Sequence, residues 1–285
     1  MLAPVGHLFS AEEQAVNLFE PPEWKSAIVL ASASTTRQYS QYVSAWIKAW
    51  RQYGEAHSVD LEPKVLVPST MRSVVRSRRA ELIPFENVPT CPMSFQTQVN
   101  RLLSPRWLTC PDTTVIFTAD IDMFPGTDDF FVKLVHATPP NSFVVARDVL
   151  STHQQFPICY LSATATTWRD AFEAVGSATD IWASWSNQQN PIDNWFIDQR
   201  LAHLTITRFS HERNQPLRLW RDSETGHTRL DRARGGIAEF RRAITAEFSD
   251  YHAHRQWLTW RAIAWVIQRR LRRLAAGRRP LRKPR

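Results

Sequence analysis

Hydrophobic and polar positions along the chain alternate between two patterns: short unbroken apolar runs, and longer stretches with apolar residues three and four apart. The first pattern marks strands buried on both faces, the second helices packed against them. Ala27-Ile28-Val29-Leu30-Ala31 is the first apolar run. Ser34-Thr35-Thr36 then supplies capping hydroxyls for a helix to about Tyr53, with Tyr42, Val43, Trp46, Ile47 and Trp50 at helical spacing. Lys64-Val65-Leu66-Val67-Pro68 predicts a second strand. Ser94 to Leu108 predicts a helix with Phe95, Val99, Leu102 and Leu103 as its apolar stripe, and Val115-Ile116-Phe117 a further buried strand. A short helix over Asp128–His136, a strand over Ser142–Ala146, the apolar piece Phe156–Leu161 and a helix near Thr167–Val175 continue the alternation. Such an order predicts an α/β domain, a sheet flanked by helices. Residues 1–25, closed by Pro21-Pro22, read as a leader or cap, and the charged segment Leu217–Gly236 as a mobile loop. From Trp257 to about Ala276 the apolar positions again step by three and four, predicting a C-terminal amphipathic helix dense in arginine.

Charge changes the picture only at that end. The net charge of +8 suggests a polyanionic partner until it is divided. Beyond Asp250 there are eleven Lys and Arg and no acid, so residues 1–250 hold 24 basic against 27 acidic residues. A mildly acidic body argues against nucleic-acid binding by the fold itself. The basic tail, residues 257–285, suits the interface of an anionic membrane through 257–276, docking on the body, or nucleic acid. The three cysteines, Cys91, Cys110 and Cys159, are scattered and unpaired in spacing, which predicts buried thiols in a reducing compartment rather than a zinc cluster or disulfide framework. With no signal-peptide layout and no apolar run near the roughly 20 residues that span a bilayer, the expectation is a cytoplasmic protein, held by its tail at the inner face of a membrane if that tail binds lipid.

The chemistry concentrates at Val115-Ile116-Phe117-Thr118-Ala119-Asp120-Ile121-Asp122-Met123-Phe124-Pro125-Gly126. Two carboxylates stand at the exit of a buried strand, where α/β sheets bind their ligands. On an extended segment, side chains two apart point the same way, so Asp120 and Asp122 would converge. Hard oxygen ligands in small number suit Mg²⁺ or Mn²⁺, with phosphate oxygens of a substrate completing the shell. The turn Ala31–Arg37, at the end of the first strand, is either a nucleotide pocket or an ordinary connection, and it lacks a Gly-x-Gly-x-x-Gly fingerprint. Arg72, Arg76, Arg78 and Arg79 form either a solvated face or a contact to phosphate, and His153 reads as a structural or exposed residue. Trp182, Trp185 and Trp195 are either a sugar-stacking wall or core.

The apolar strand followed by Asp-x-Asp and Met-Phe-Pro resembles the metal-binding motif of nucleotide-sugar glycosyltransferases of the GT-A fold. The segment Phe95 to Pro105 is similar to the helix preceding that motif in a bacterial and viral group of such enzymes, and Asp198-Gln199 and Asp250-x-His252-x-x-Arg255 match two later elements in order. The resemblance implies a single GT-A-like (Rossmann-like) mixed sheet over residues 26–256. It implies a transferase using Mn²⁺ or Mg²⁺ held by Asp122 and His252, with Asp120 on the metal or the donor ribose. Gln98 and Arg101 would lie beside the donor, a UDP-sugar ahead of a GDP-sugar, and Ala31, Ser32 and Arg37 would line its nucleotide. Arg255 would meet the diphosphate, and Asp198, with Asp193 in reserve, would be the general base toward a glycan, glycolipid or protein-linked glycan acceptor. Two other classes remain: a metal-dependent nucleotidyl- or phosphotransferase, and a noncatalytic protein adhering to membrane or nucleic acid through its tail.

Overall fold

The computed structural model describes residues 26–34, 37–71, 81–147, 149–186, 196–230, 237–253 and 257–278. The apolar runs become the centre of a seven-stranded sheet: β1 (Ala27–Ser32), β2 (Leu61–Pro68), β3 (Leu82–Phe85) and β4 (Val115–Thr118). These four are mutually parallel in the order β3-β2-β1-β4. After β5 (Met123–Pro125), which leaves this sheet, β6 (Val144–Ala146), β7 (Leu161–Thr164) and β8 (Arg218–Trp220) extend it as β4-β7-β6-β8, with β7 antiparallel to both neighbours. β9 (Arg229–Leu230) and β10 (Asp250–His252) join β5 in a separate small sheet, with β10 in the middle. The architecture is therefore the mixed α/β sheet that the alternating pattern predicts.

Both faces of the main sheet are covered, and the side-chain alternation of each strand divides the core in two. Val29, Ala31, Val65, Val67, Val115 and Phe117 face one cluster; Ile28, Leu30, Leu66 and Ile116 face the other. Helices α1 (Arg37–Ser40), α2 (Val43–His57), α3 (Met93–Leu103), α4 (Phe130–Ala137), α5 (Ala165–Phe172), α6 (Ala178–Trp185) and α7 (Ile197–Glu212) follow the strands. Trp46, Trp50 and Phe131 fill the first cluster, and Phe95, Trp168 and Phe209 the second. The small sheet is fastened to the body where Gly126 N–H donates to the Ser249 carbonyl at 2.6 Å. A side chain at Gly126 would overlap the Phe248 carbonyl, which fixes glycine there.

One expectation changes. The segment 217–236 is not simply a loop: its described part carries β8, the short helix α8 (Asp222–Thr225) and β9. Its polar composition conceals strands of two and three residues, too short to show a period. After α9 (Ile237–Thr245), the C-terminal helix α10 (Trp257–Arg278) puts its apolar stripe into the core, the docking on the body that was one of its open alternatives. Trp260 meets Tyr42 edge-on at 4.7 Å and stacks on Phe124 at 6.0 Å, and Ile263, Ala264, Ile267 and Leu271 are buried beside it. Arg261, Trp265, Arg269, Arg272 and Arg273 remain outside. No helix among the described residues is long and apolar enough to cross a membrane.

If α10 is part of the core, Trp260→Ala should lower the unfolding free energy by about 3–5 kcal/mol, read from urea denaturation. Trp265→Ala, on the exposed face, should change it by less than about 0.5 kcal/mol.

Candidate active site

The parallel strands β1 and β4 end side by side, and several of the expected site residues gather beyond their carboxyl ends. Ala119 N–H donates to the Leu30 carbonyl at 2.9 Å, which ties the exit of β4 to β1. The chain then turns at once: Met123 N–H donates to the Asp120 carbonyl at 2.9 Å, and the Trp46 indole N–H to the same oxygen at 3.0 Å. Asp120-Ile121-Asp122 is thus a turn rather than a continuation of the strand, so the alternation argument that aligned the two carboxylates does not apply. Both still line one cavity of about 290 Å³, shared with Ser32, Ser34, Gln98, Arg101, Asp198 and Gln199.

Arg101 organises this cavity. It projects from α3, only 6% exposed at its side chain, and its guanidinium donates in three directions. Nη1 reaches the Ala119 carbonyl at 2.9 Å and Asp120 Oδ1 at 2.7 Å, while Nη2 reaches Asp198 Oδ2 at 3.0 Å. Asp198 stands in the first turn of α7, and its Oδ1 accepts the Gln199 N–H at 2.8 Å. The two carboxylates on one guanidinium titrate in opposite directions. At Asp120 burial raises the pKa, but Arg101 and then His252 outweigh it, so the carboxyl is lowered. At Asp198 burial wins over Arg101, with Asp120 adding repulsion, and the carboxyl is raised. Asp120 has several positive neighbours and a partly exposed edge, whereas the deeper Asp198 has one.

The small sheet delivers the third component. β10 pairs antiparallel with β5, His252 opposite Met123, and Ala253 N–H donates to the Asp122 carbonyl at 2.7 Å. That register carries His252 to the Asp-x-Asp turn from 130 positions along the chain. Cys159 arrives from the other side, in the turn Ile158–Tyr160 that leads into β7, where the Thr118 hydroxyl donates to the Ile158 carbonyl at 2.5 Å. One donor atom each from Asp120, Cys159 and His252 lies within 4.8 Å of the others. Of the three expected ligands, Asp120 and His252 belong to this group, and Asp122 lines the adjoining cavity. Convergence of carboxylate, imidazole and thiol from three separate elements is a donor set a divalent cation fits. As a free group Cys159 is a poor nucleophile, since burial, and next the Asp120 charge, push its thiol well up.

Behind His252 lies a buried polar network. Asp250 is fully buried and accepts from the Tyr160 hydroxyl at 2.7 Å, with the His227 Nε2 at 2.5 Å and the Arg229 Nε at 3.5 Å. Burial opposes its ionisation, but the His227 hydrogen bond and the charge of His252 hold its pKa down at about 2. Arg147 continues the network outward, gripping Asp222 with two nitrogens at 2.9 Å.

Other expected residues divide. Ser32 and Gln98 line the cavity, but Ala31 is fully buried with its side chain in the core, because adjacent strand residues face opposite ways. Trp182 packs edge-on against Phe95 at 5.0 Å, and Trp185 also lies against the core. His153 is exposed in a short helical turn. The Arg37 side chain, Arg72, Arg76, Arg78, Arg79, Asp193, Trp195 and Arg255 lie outside the described residues. Sequence reasoning missed Cys159 as a site residue, and its only signal was the place of the apolar run Phe156–Leu161 as the next strand.

No protein-family model matches the chain, and neither does any curated protein sequence. In three dimensions it is similar to the glycosyltransferase GlyE of Streptococcus pneumoniae TIGR4, with a TM-score of 0.51 at 15% identity over 92% of this chain and 66% of that one. The chain thus spans just under two thirds of that enzyme's length. A glycosyltransferase involved in glycosylation of the major capsid of PBCV-1 matches at a TM-score of 0.43 and 10% identity over 85% of this chain and 98% of that one. Mouse xyloside xylosyltransferase 1 matches at 0.37 and 10% identity over 80% and 97%. The fold is that of GlyE, the GT-A-like arrangement expected from the Asp-x-Asp strand.

Arg101→Met should lower the unfolding free energy by about 3–5 kcal/mol, because it leaves two carboxylates facing each other without their cation. Adding Asp198→Asn to that variant should restore part of the loss, and strict additivity of the two changes in urea denaturation would refute the coupling. For Asp250 the folded pKa of about 2 lies below the ordinary 3.8. Its contribution, roughly 2–3 kcal/mol from that difference, is therefore present above about pH 4 and lost as the pH falls toward 2. Asp250→Asn should weaken the protein at pH 6, with the gap to wild type closing between about pH 4 and 2.

Proposed function

We propose that this protein is a metal-dependent glycosyltransferase that moves a sugar from a nucleoside diphosphate, UDP ahead of GDP, to a hydroxyl of a glycan, glycolipid or protein-linked glycan. The observation that carries the reading is the joining, at the carboxyl ends of β1 and β4, of the Asp120–Asp122 turn and the Arg101–Asp198 pair around one cavity, with His252 brought up to Asp120. The fold shared with GlyE supports the same reaction class. Asp120 and His252 would hold the cation, which is Mn²⁺ or Mg²⁺ on the resemblance. With a cation there, the chemistry supplied is charge stabilisation on the departing diphosphate.

The chain's own residues divide the remaining work. Ser32 and Gln98 border the cavity where the donor would lie, with Arg37 and Arg255 the expected contacts to its nucleotide and diphosphate. Arg101 positions Asp120 and Asp198 on opposite sides of one guanidinium. In the transfer the bond from the anomeric carbon to the phosphate oxygen breaks, the bond to the acceptor oxygen forms, and the acceptor's hydroxyl proton must be taken up. Asp198 is the carboxylate proposed to take it, with Asp193 in reserve. The upward shift of Asp198 improves its basicity relative to an ordinary aspartate. The outward face of α10, with Trp265 among arginines, supports an acceptor carried at an anionic membrane surface.

Calorimetric titration with UDP, GDP, TDP and CMP, with and without Mn²⁺, tests the donor reading. One nucleoside diphosphate should bind, at least about tenfold more tightly with metal, and Asp120→Asn should abolish the metal-dependent part. Asp198→Asn should keep that binding and lose about 10²-fold or more in transfer rate. A folded protein that binds none of the four, or that cleaves nucleoside triphosphates instead, would overturn the proposal.

A further inference from the structure

Cys159 is not needed for the reaction just proposed, yet its sulfur sits within 4.8 Å of the Asp120 and His252 donor atoms. We infer that Cys159 is a ligand of the cation, and that the site prefers a thiophilic divalent ion such as Zn²⁺ or Co²⁺ over Mg²⁺. This deepens the metal-dependent reading and rests on it for the position of the site.

Three observations carry the inference. The thiol is placed by structure on both sides: Thr118, the last residue of β4, binds the carbonyl of Ile158, and Tyr160 is anchored to Asp250 through its hydroxyl. Cys159 is therefore held between the strand that presents Asp120 and the network that backs His252. The donors are also of mixed type. Mg²⁺ favours six oxygens and dehydrates reluctantly, whereas one thiolate, one imidazole and one carboxylate are the ligand types of tetrahedral zinc, with a fourth place left for a phosphate oxygen or water. Finally, Arg101 takes Oδ1 of Asp120, which leaves the second oxygen of that carboxylate for a cation. The opposing feature is Arg229, whose guanidinium lies beside Asp250 and contributes positive charge at both Asp120 and Cys159.

Cobalt distinguishes these cases because its spectrum reports the ligand atoms. The full chain, free of metal, is titrated with Co²⁺ with and without UDP, as wild type, Cys159→Ser, Cys91→Ser and Asp120→Asn, with circular dichroism confirming that each is folded. Wild type and Cys91→Ser should show visible ligand-field bands together with a near-ultraviolet sulfur-to-cobalt charge-transfer band. Cys159→Ser should lose the charge-transfer band and at least about tenfold in Zn²⁺ affinity, the scale set by losing even an outer partner of a zinc site. Its Mg²⁺ affinity should be unchanged. Ligand-field bands without charge transfer in wild type, lost in Asp120→Asn, would overturn the thiol ligand and leave the glycosyltransferase reading standing. Absence of any cobalt spectrum, with UDP still bound in calorimetry, would overturn the inference and the metal requirement while keeping the donor reading.

Discussion

The Arg101 guanidinium is the interaction on which the site depends. Three acceptors from three elements meet on it: the Ala119 carbonyl at the end of β4, Asp120 in the following turn, and Asp198 at the start of α7. None of the carboxylates could be buried as an anion alone, since isolated charge in the interior costs several kcal/mol or is neutralised. The arginine thus permits an ionised Asp198 inside the fold and fixes where α7 begins relative to the sheet. Its planar fork suits the task in a way lysine would not, because two carboxylates must be held at a set angle. The cost is that Asp198 is restrained by the group that keeps it charged. Its raised pKa shows burial still dominating, which leaves it with basicity to use.

The second constraint is the small sheet. β5 and β10 contribute three residues each, and alone they would not be stable. They are held by Tyr251 and Phe124 in the same core cluster as Trp260, by the glycine contact at Gly126, and by Asp250 in its buried network. Docking of α10 thereby does more than cover one face of the sheet: through Trp260 on Phe124 it supports the strand that positions His252. The arginine-rich end of the chain and the carboxyl end of the sheet are parts of one packing unit.

Much of this was legible in the sequence, for identifiable reasons. β1 and β4 are buried on both faces, so they read as unbroken apolar runs, and α2 and α3 carry wide apolar stripes; Arg101 and Asp198 were singled out through the resemblance of their segments to glycosyltransferase elements. The Asp-x-Asp turn was found but misread as extended, because nothing local distinguishes a strand end from a turn when the residues after it are Met-Phe-Pro. β9 and β10 were invisible because two or three residues have no period. The destination of the α10 stripe was equally hidden: an amphipathic helix states that one face is covered, not by what. Cys159 fell into a further class. Its significance comes from the antiparallel pairing of β7 with β4, a relation between residues about 45 positions apart, and no feature of the surrounding Pro157-Ile158-Cys159-Tyr160 encodes it.

Charge balance joins these parts. Asp120 and Asp198 share Arg101, while Asp250 is met by His227 and by Arg229, the guanidinium near the small sheet. Four carboxylates, Asp120, Asp122, Asp198 and Asp250, thus stand with two guanidinium groups, Arg101 and Arg229, and two imidazoles, His227 and His252. A diphosphate brought to that region alone would add like charge to like. Under the proposed function a divalent cation there would offset the excess of carboxylates, and donor and cation would assist each other's binding, a coupling that must be reciprocal. A thiolate from Cys159 would add one more negative charge and draw the cation more firmly into the protein. With that proposed ligand, a soft cation would stay as a resident group between turnovers, whereas a hard one held by oxygens alone would arrive and leave with the nucleotide.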